Sequence, residues 1–295
     1  MTYFFFRVGV FIIRLLPFFL LYRLADLITF MLHRIFHYRQ KVILSNLKNS
    51  FPNHSEQQLK KLLPAIYRNL ADILLEGIKG MTMPLAEMKK RYHVTNPEVL
   101  DESYQNGQSV LLSAAHYGNW EWTVCYQHVF KHNSAILYKP LKNKQINQFT
   151  LNARSRFGTH LRSITDTRPM LNEFGEPSLY VFISDQTPSN LIKADWVDFL
   201  NQDTPCLQGL DRHARRMKIP VFYSRLKRVK RGFYEIELVP LCLQPQQTEK
   251  GEITKLYMAA LEEQIREEAA PWLWSHKRWK HGRAKLAREL EDANI

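Results

Sequence analysis

The sequence predicts an α/β fold, with a mixed, mostly parallel sheet flanked by helices and an N-terminal hydrophobic membrane-associating helix in front of it. Three observations carry this. From Val110 onward, short apolar runs alternate with helix-like stretches. Tyr3 to Leu32 are crowded with Phe, Leu, Ile and Val. No internal repeat, low-complexity tract or Gly-Ser linker divides the 295 residues. The simplest partition is a membrane-associating segment at 1–40 and one domain at 41–295.

Arg7, Arg14, Arg23 and Asp26 interrupt the apolar segment, and Pro17 lies near its middle. No unbroken apolar run reaches the roughly 20 residues of a spanning helix. The compact basic start and small-residue cleavage site of a signal peptide are also missing. Arg7 and Arg14 fall on nearly the same side of a helix. This suits a helix lying in the membrane interface with its arginines towards head groups. A tilted span with snorkelling terminal charges is the other membrane reading. Packing into the core is a third, but Tyr3, Phe4, Phe5, Phe6 and Phe11 offer more apolar surface than one groove covers. Arg34, His37, Arg39, Lys41 and Lys48 follow the segment. Such a basic flank places the domain that follows on the cytoplasmic side.

Ser55, followed by Glu56 and Gln58, marks a helix start, and Leu59, Leu62, Leu63, Ile66, Leu70, Ile73 and Leu74 recur at helical spacing. Pro64 is expected to kink or divide that helix. Arg91 to Thr95 reads as a strand, Pro97 to Gln105 as a helix and Asn106-Gly107 as a turn. Strands follow at Val110 to Ala115, Ser134 to Tyr138, His160 to Ile164 and Ser178 to Ser184. Helices are expected at Asn119 to Phe130, Lys144 to Phe157, Pro169 to Phe174 and Cys206 to Met217. Asp185 to Thr204 reads as irregular. Ile219 to Lys227 and Phe233 to Val239 form a hairpin around Lys230-Arg231-Gly232, before an amphipathic helix over Ile253 to Glu268.

Hydrophobic residues make up 45% and charged residues 23%, so a packed core is expected rather than disorder. The net charge of +13 points to an anionic partner: nucleic acid, an anionic membrane, or an acidic carrier or substrate. Cys125, Cys206 and Cys242 match no zinc or redox spacing. They read as small, partly buried side chains in a reducing compartment.

The sharpest local feature is His116-Tyr117-Gly118-Asn119-Trp120-Glu121, which directly follows the strand at Val110. Ligands of open α/β sheets bind at the carboxyl ends of strands. Gly118 permits a tight turn, and Asn119 is placed to cap the next helix. A strand-turn-helix folds Glu121 back towards His116. A carboxylate on one ring nitrogen fixes the tautomer and leaves the other as a base. With no adjacent nucleophile, the fitting chemistry is deprotonation of a bound hydroxyl that attacks an activated acyl group. For an isolated histidine, a structural role at the sheet edge would be the better reading.

The segment AAHYGNWEW resembles the active-site block of the bacterial lipid A biosynthesis acyltransferases and carries the His-x4-Glu form of the motif shared with glycerolipid acyltransferases. Further blocks follow in the family's order. Leu137-Tyr138-Lys139-Pro140 resembles an aromatic-Arg-Pro block, with Lys for Arg. Arg154-Ser155-Arg156-Phe157-Gly158 resembles an Arg-x-Arg segment. Ser184-Asp185-Gln186 resembles the end of a family strand, and Pro271 to Lys280 resembles the C-terminal Trp-x-His-Arg-Arg-aromatic block. The resemblance covers nearly the whole chain. It implies a glycerolipid acyltransferase-like fold, an acyl-acyl carrier protein or acyl-CoA co-substrate, no cofactor or metal, and a saccharolipid acceptor at the cytoplasmic face of the inner membrane.

Carried over, His116 is the base and Glu121 its orienting carboxylate. Lys139, Arg154 and Arg156 are candidates for acceptor phosphates or the thioester oxyanion; a solvated helix face is the alternative. Asp185 either orients a basic residue or caps a turn. Trp120 either packs an acyl chain or is structural. The expected partners are a lipid acceptor, an acyl carrier protein and the membrane, without nucleic acid. Three rivals stand beside this. Trp272, Trp274 and Trp279 among basic residues suit a membrane interface or a charged face with the tryptophans in the core, and could also stack on nucleic acid bases, although no nucleic-acid-binding signature accompanies them. Ser113 or Cys125 could be a hydrolase nucleophile, although the GxSxG turn is missing. The chain could also be a non-catalytic membrane scaffold.

Overall fold

The computed structural model describes residues 1–164 and 177–292. The helix expected over Pro169 to Phe174 lies outside the described residues. Two short helices open the chain, α1 (Thr2–Leu15) and α2 (Phe18–Phe30). They part at Pro17, whose missing N–H cannot continue α1. Lys79 satisfies the carbonyls that α1 leaves unpaired, donating to Ile13, Arg14 and Leu16 at 3.2, 2.7 and 2.6 Å. Among the described residues, no helix is long and apolar enough to cross a membrane.

The helix pair has two unlike faces. Ile13, Leu21 and Ala25 are buried against Ala71 and Leu75 of the long helix α4 (Glu56–Gly80). Phe4, Phe5, Phe11, Phe19, Phe30 and Phe36 stay exposed. Core packing therefore accounts for one face and leaves the other uncovered.

α3 (Gln40–Ser50) leads into α4, which Ser55 and Gln58 start with a reciprocal capping box. Pro64 does not divide α4, which runs unbroken through it. Pro64 is exposed, so the carbonyl it leaves unpaired faces water. α5 (Leu85–Arg91), β1 (Tyr92–Val94), a 3-10 turn and α6 (Asp101–Gln105) follow.

The seven-stranded sheet is built from β1, β2 (Val110–Ala114), β3 (Asn133–Tyr138), β4 (His160–Ser163), β5 (Ser178–Ile183), β8 (Val221–Lys230) and β9 (Phe233–Cys242). Their order is β1-β9-β8-β2-β5-β3-β4. Every ladder is parallel except β8 with β9, a hairpin that turns at Arg231-Gly232. The helix α7 (Lys144–Ser155) precedes β4. α8 (Gly209–Met217) packs on β2, and α9 (Glu252–Glu267) packs on β8 and β9. A last helix, α10, spans Arg283–Asp292. β2 is central and buried at all of its positions, which is why its sequence, Val-Leu-Leu-Ser-Ala, shows no alternation.

Asp185 to Thr204 is not irregular throughout. It contains β6 (Ala194–Phe199), paired antiparallel with β7 (Gln202–Leu207). Cys206 accordingly lies in a strand, and the helix expected from it starts at Gly209. The hairpin turns at Leu200 and Asn201, both left-handed at φ 52 and 61. Such turns usually carry Asn-Gly. Here the fully buried Leu200 side chain and a 2.7 Å bond from its N–H to Glu262 hold the backbone instead.

Candidate active site

The chain leaves β2 through Ala115, reaches His116 and turns at Gly118, which has φ 55. A Cβ at Gly118 would collide with Leu226, so the turn requires glycine. The C-terminal segment clamps this turn. The Gly118 N–H donates to Pro271 O at 3.0 Å, and the Leu273 N–H donates to His116 O at 3.1 Å. Asn119 does not cap the next helix. Its amide donates instead to the buried Glu76 at 2.8 Å, and Glu76 also accepts from Tyr22 at 2.9 Å and Tyr234 at 2.7 Å. Burial, with Asp72 adding to it, pushes the Glu76 carboxyl up, against the pull of Tyr234, Arg228 and Asn119.

β2 and β5 pair in parallel up to Ala114↔Ile183. Two residues beyond the end of each strand stand His116 and Asp185, so the parallel register brings the two strand ends together. His116 Nδ1 and Asp185 Oδ1 are 2.6 Å apart, and the His116 backbone N–H donates to Asp185 Oδ2 at 3.1 Å. Trp272 adds its indole N–H to Asp185 Oδ2 at 3.0 Å. Burial pushes the Asp185 carboxyl up, but the neighbouring His116 and these hydrogen bonds outweigh it and hold the group below its ordinary range. Gln186 places its amide nitrogen 3.1 Å from His116 Nε2. Donation from Gln186 leaves Nε2 as the acceptor and puts the ring proton on Nδ1, where Asp185 accepts it. Trp120 packs edge-on against the imidazole at 4.9 Å.

Glu121 is not the carboxylate beside His116. The segment after the turn is a 3-10 helix, Trp120–His128, which carries Glu121 outward to Arg154 of α7. Arg154 donates to both Glu121 oxygens at 2.9 and 2.6 Å. Arg156 is not in the site: its guanidinium donates to the carbonyls of Gly80 and Met83 and stacks on Phe157. His116, Trp120, Glu121, Lys139, Arg154 and Gln186 line one cleft of about 430 Å³, with Lys139 at its exposed rim. Asp185 lies beneath the cleft, 2% exposed.

Gln186 and Trp272 lie inside blocks that carry the resemblance, yet nothing local in the sequence points either of them at His116 or Asp185. Ser113 is buried and bonded to Phe222 O at 3.0 Å, and burial pushes the Cys125 thiol up to about 12, so neither is a ready nucleophile. Trp272 and Trp274 are buried in the core, where they cannot stack on bases. The buried Arg278 donates to Pro205 O at 2.8 Å.

A histidine held by an acid at the end of a central parallel strand faces a cleft with a paired arginine, an arrangement able to take a proton from a bound group. The chain belongs to the bacterial lipid A biosynthesis acyltransferase family, whose model it matches over residues 1–281. No curated protein matches the chain. It is thus an acyltransferase of a family that acts on a lipid acceptor.

Proposed function

We propose that the protein moves a fatty acyl chain from an acyl thioester, carrier-protein or coenzyme A, to a hydroxyl of a lipid A precursor or a related lipid. The observation that carries this reading is the imidazole of His116, held at Nδ1 by Asp185 with Nε2 turned to the cleft. The acceptor hydroxyl replaces the Gln186 amide at Nε2 and donates to it. His116 takes the proton as the oxygen attacks the thioester carbonyl, and the buried Asp185 stabilises the imidazolium. A C–O bond forms and the carbonyl oxygen gains charge. Arg154, aimed by Glu121, and Lys139 supply positive charge to that oxygen or to acceptor phosphates. The C–S bond then breaks, and the leaving sulfur takes the proton back from His116.

The exposed face of α1 and α2 supports docking on the cytoplasmic leaflet of the inner membrane. At 14 and 13 residues, each helix is shorter than the roughly 20 residues of a span. Phenylalanines with exposed Arg14, Arg23, Arg34 and Lys41 suit helices lying flat at an anionic surface.

Mass spectrometry of lipids from cells with and without the gene tests this reading. An acyl mass lost from lipid A, and not restored by His116→Ala, is the expected result. A loss confined to another lipid keeps the chemistry and changes the acceptor. No change in any lipid contradicts the proposal.

A further inference from the structure

A second chamber, of about 320 Å³, adjoins the catalytic cleft. The two share Leu137, Ile164, Ile183, Pro188, Ser189 and Leu207, so they lie side by side along one face, with His116 in the first. The two ends of this face differ in chemistry. The cleft end is bounded by Lys139, Leu141 and Arg154 of α7. Phe149 of α7 packs on Phe6 of α1 at 5.5 Å and under Arg7 at 4.9 Å, so this end adjoins the apolar N-terminal helices. The chamber end is bounded by Lys193, Gln208 and Arg212. Both cations are exposed there. Arg215, on the same helix as Arg212, is 3.8 Å from Asp211, whereas among the described residues no carboxylate pairs with Arg212 or Lys193.

His213 also lines this chamber. It is 3% exposed, and its Nδ1 has no hydrogen-bond partner among the described residues. A buried polar atom without a partner is costly, and a bound polar ligand would remove the cost. Ser184, Ser189 and Asn190 add further polar groups along apolar walls of Leu137, Phe182 and Ile183. The chamber therefore fits an extended, amide-bearing chain that enters from water with a phosphate at its outer end. A lipid acceptor suits the opposite end, beside α1. A hydrocarbon tail is a poor match for a mouth with two exposed cations.

We propose that this chamber receives the phosphopantetheine arm of the acyl donor, with Arg212 and Lys193 holding the arm's phosphate and His213 hydrogen-bonding an amide. The assignment rests on the thioester-donor reading above. It leaves the body of the donor outside and delivers the thioester to His116 from the side opposite the lipid. Carrier-protein and coenzyme A donors share this arm.

Calorimetric titration of the full-length protein in detergent with 4′-phosphopantetheine and with pantetheine tests the assignment. The wild type should bind the phosphorylated arm at least about tenfold more tightly, as expected for charge-assisted bonds to a phosphate. Arg212→Glu with Lys193→Glu should abolish that preference, and Arg216→Glu, an exposed control outside the chamber, should keep it. Equal binding of the two probes, or a preference that survives the double reversal, overturns the proposal. A kinetic arm separates the donors. The double reversal should raise KM for acyl-coenzyme A and for the acyl carrier protein thioester alike; a rise for the carrier protein alone assigns these cations to its surface and overturns the phosphate role. Phosphate-selective binding without acyl transfer from any thioester by the wild type would sink the enzymatic reading and leave the site standing.

Discussion

His116 and Asp185 each stand two residues past the last paired position, Ala114↔Ile183, of two adjacent parallel strands, and their side chains meet at 2.6 Å. Strand register thus assembles the pair. The indole N–H of Trp272 fixes the far oxygen of Asp185 at 3.0 Å. Trp272→Phe removes that bond and keeps most of the ring packing. Losing a hydrogen bond to a charged group costs about 1.5–3 kcal/mol. The expected outcome is kcat lowered by about tenfold or more, with the acceptor KM little changed. Steady-state kinetics check this; an unchanged kcat would show that Trp272 only packs.

The Glu121–Arg154 pair and Arg156 should behave differently. Glu121→Ala frees Arg154 from its aim, so its effect on kcat/KM should be mostly absent in an Arg154→Ala background. A double-mutant cycle measures that coupling. Additive losses would mean that the two carboxylate bonds do not matter to catalysis. Arg156→Ala removes donors to the carbonyls of Gly80 and Met83. It should lower Tm, by the equivalent of about 1–3 kcal/mol, and leave kcat near wild type.

Acid should destabilise the fold before carboxylates titrate. Burial pushes His213 and His276 down to about 4, with Arg212 and Arg216 adding to the effect at the first. At His276, Asp185 opposes the shift and Arg278 adds to it. Both groups sit near 6.5 in the unfolded chain. Between about pH 6.5 and 4 the unfolded chain therefore binds more protons, and stability falls as pH falls through that window. Asp185 is depressed from 3.8, so its own contribution is lost only at lower pH. Tm measured across pH 7 to 4 should decline, and His213→Gln with His276→Gln should flatten the decline. A wild-type Tm constant over this range contradicts the assignment.

Phe11 and Phe19 are 59% and 68% exposed, on the face that α4 leaves uncovered. Phe11→Glu with Phe19→Glu should abolish co-sedimentation with anionic phosphatidylglycerol vesicles and leave Tm nearly unchanged. Retained vesicle binding would remove α1 and α2 from the docking surface.

Much of the fold was legible in the sequence, because strands such as Val110 to Ala114 and the start of α4 at Ser55 announce themselves locally. The β6–β7 hairpin was not, because its turn uses Leu200-Asn201 and relies on burial rather than glycine. The site was half legible. His116 is visible as the end of an apolar strand before a glycine turn. Its acid is not, because β5 reaches the neighbourhood of β2 only after β3 and β4 have been laid down further out in the sheet. Glu121 is close in sequence, but a 3-10 helix directs it to Arg154. Resemblance marked both acids, and strand register decides between them.

The most direct test of the central claim is single-turnover acyl transfer by Asp185→Asn beside the wild type, with Tm confirming that the variant is folded. An amide at residue 185 cannot stabilise the imidazolium. Transfer should slow by about 10² to 10⁴, the range in which a positioned base contributes. Wild-type transfer by folded Asp185→Asn would show that His116 does not act through this pair.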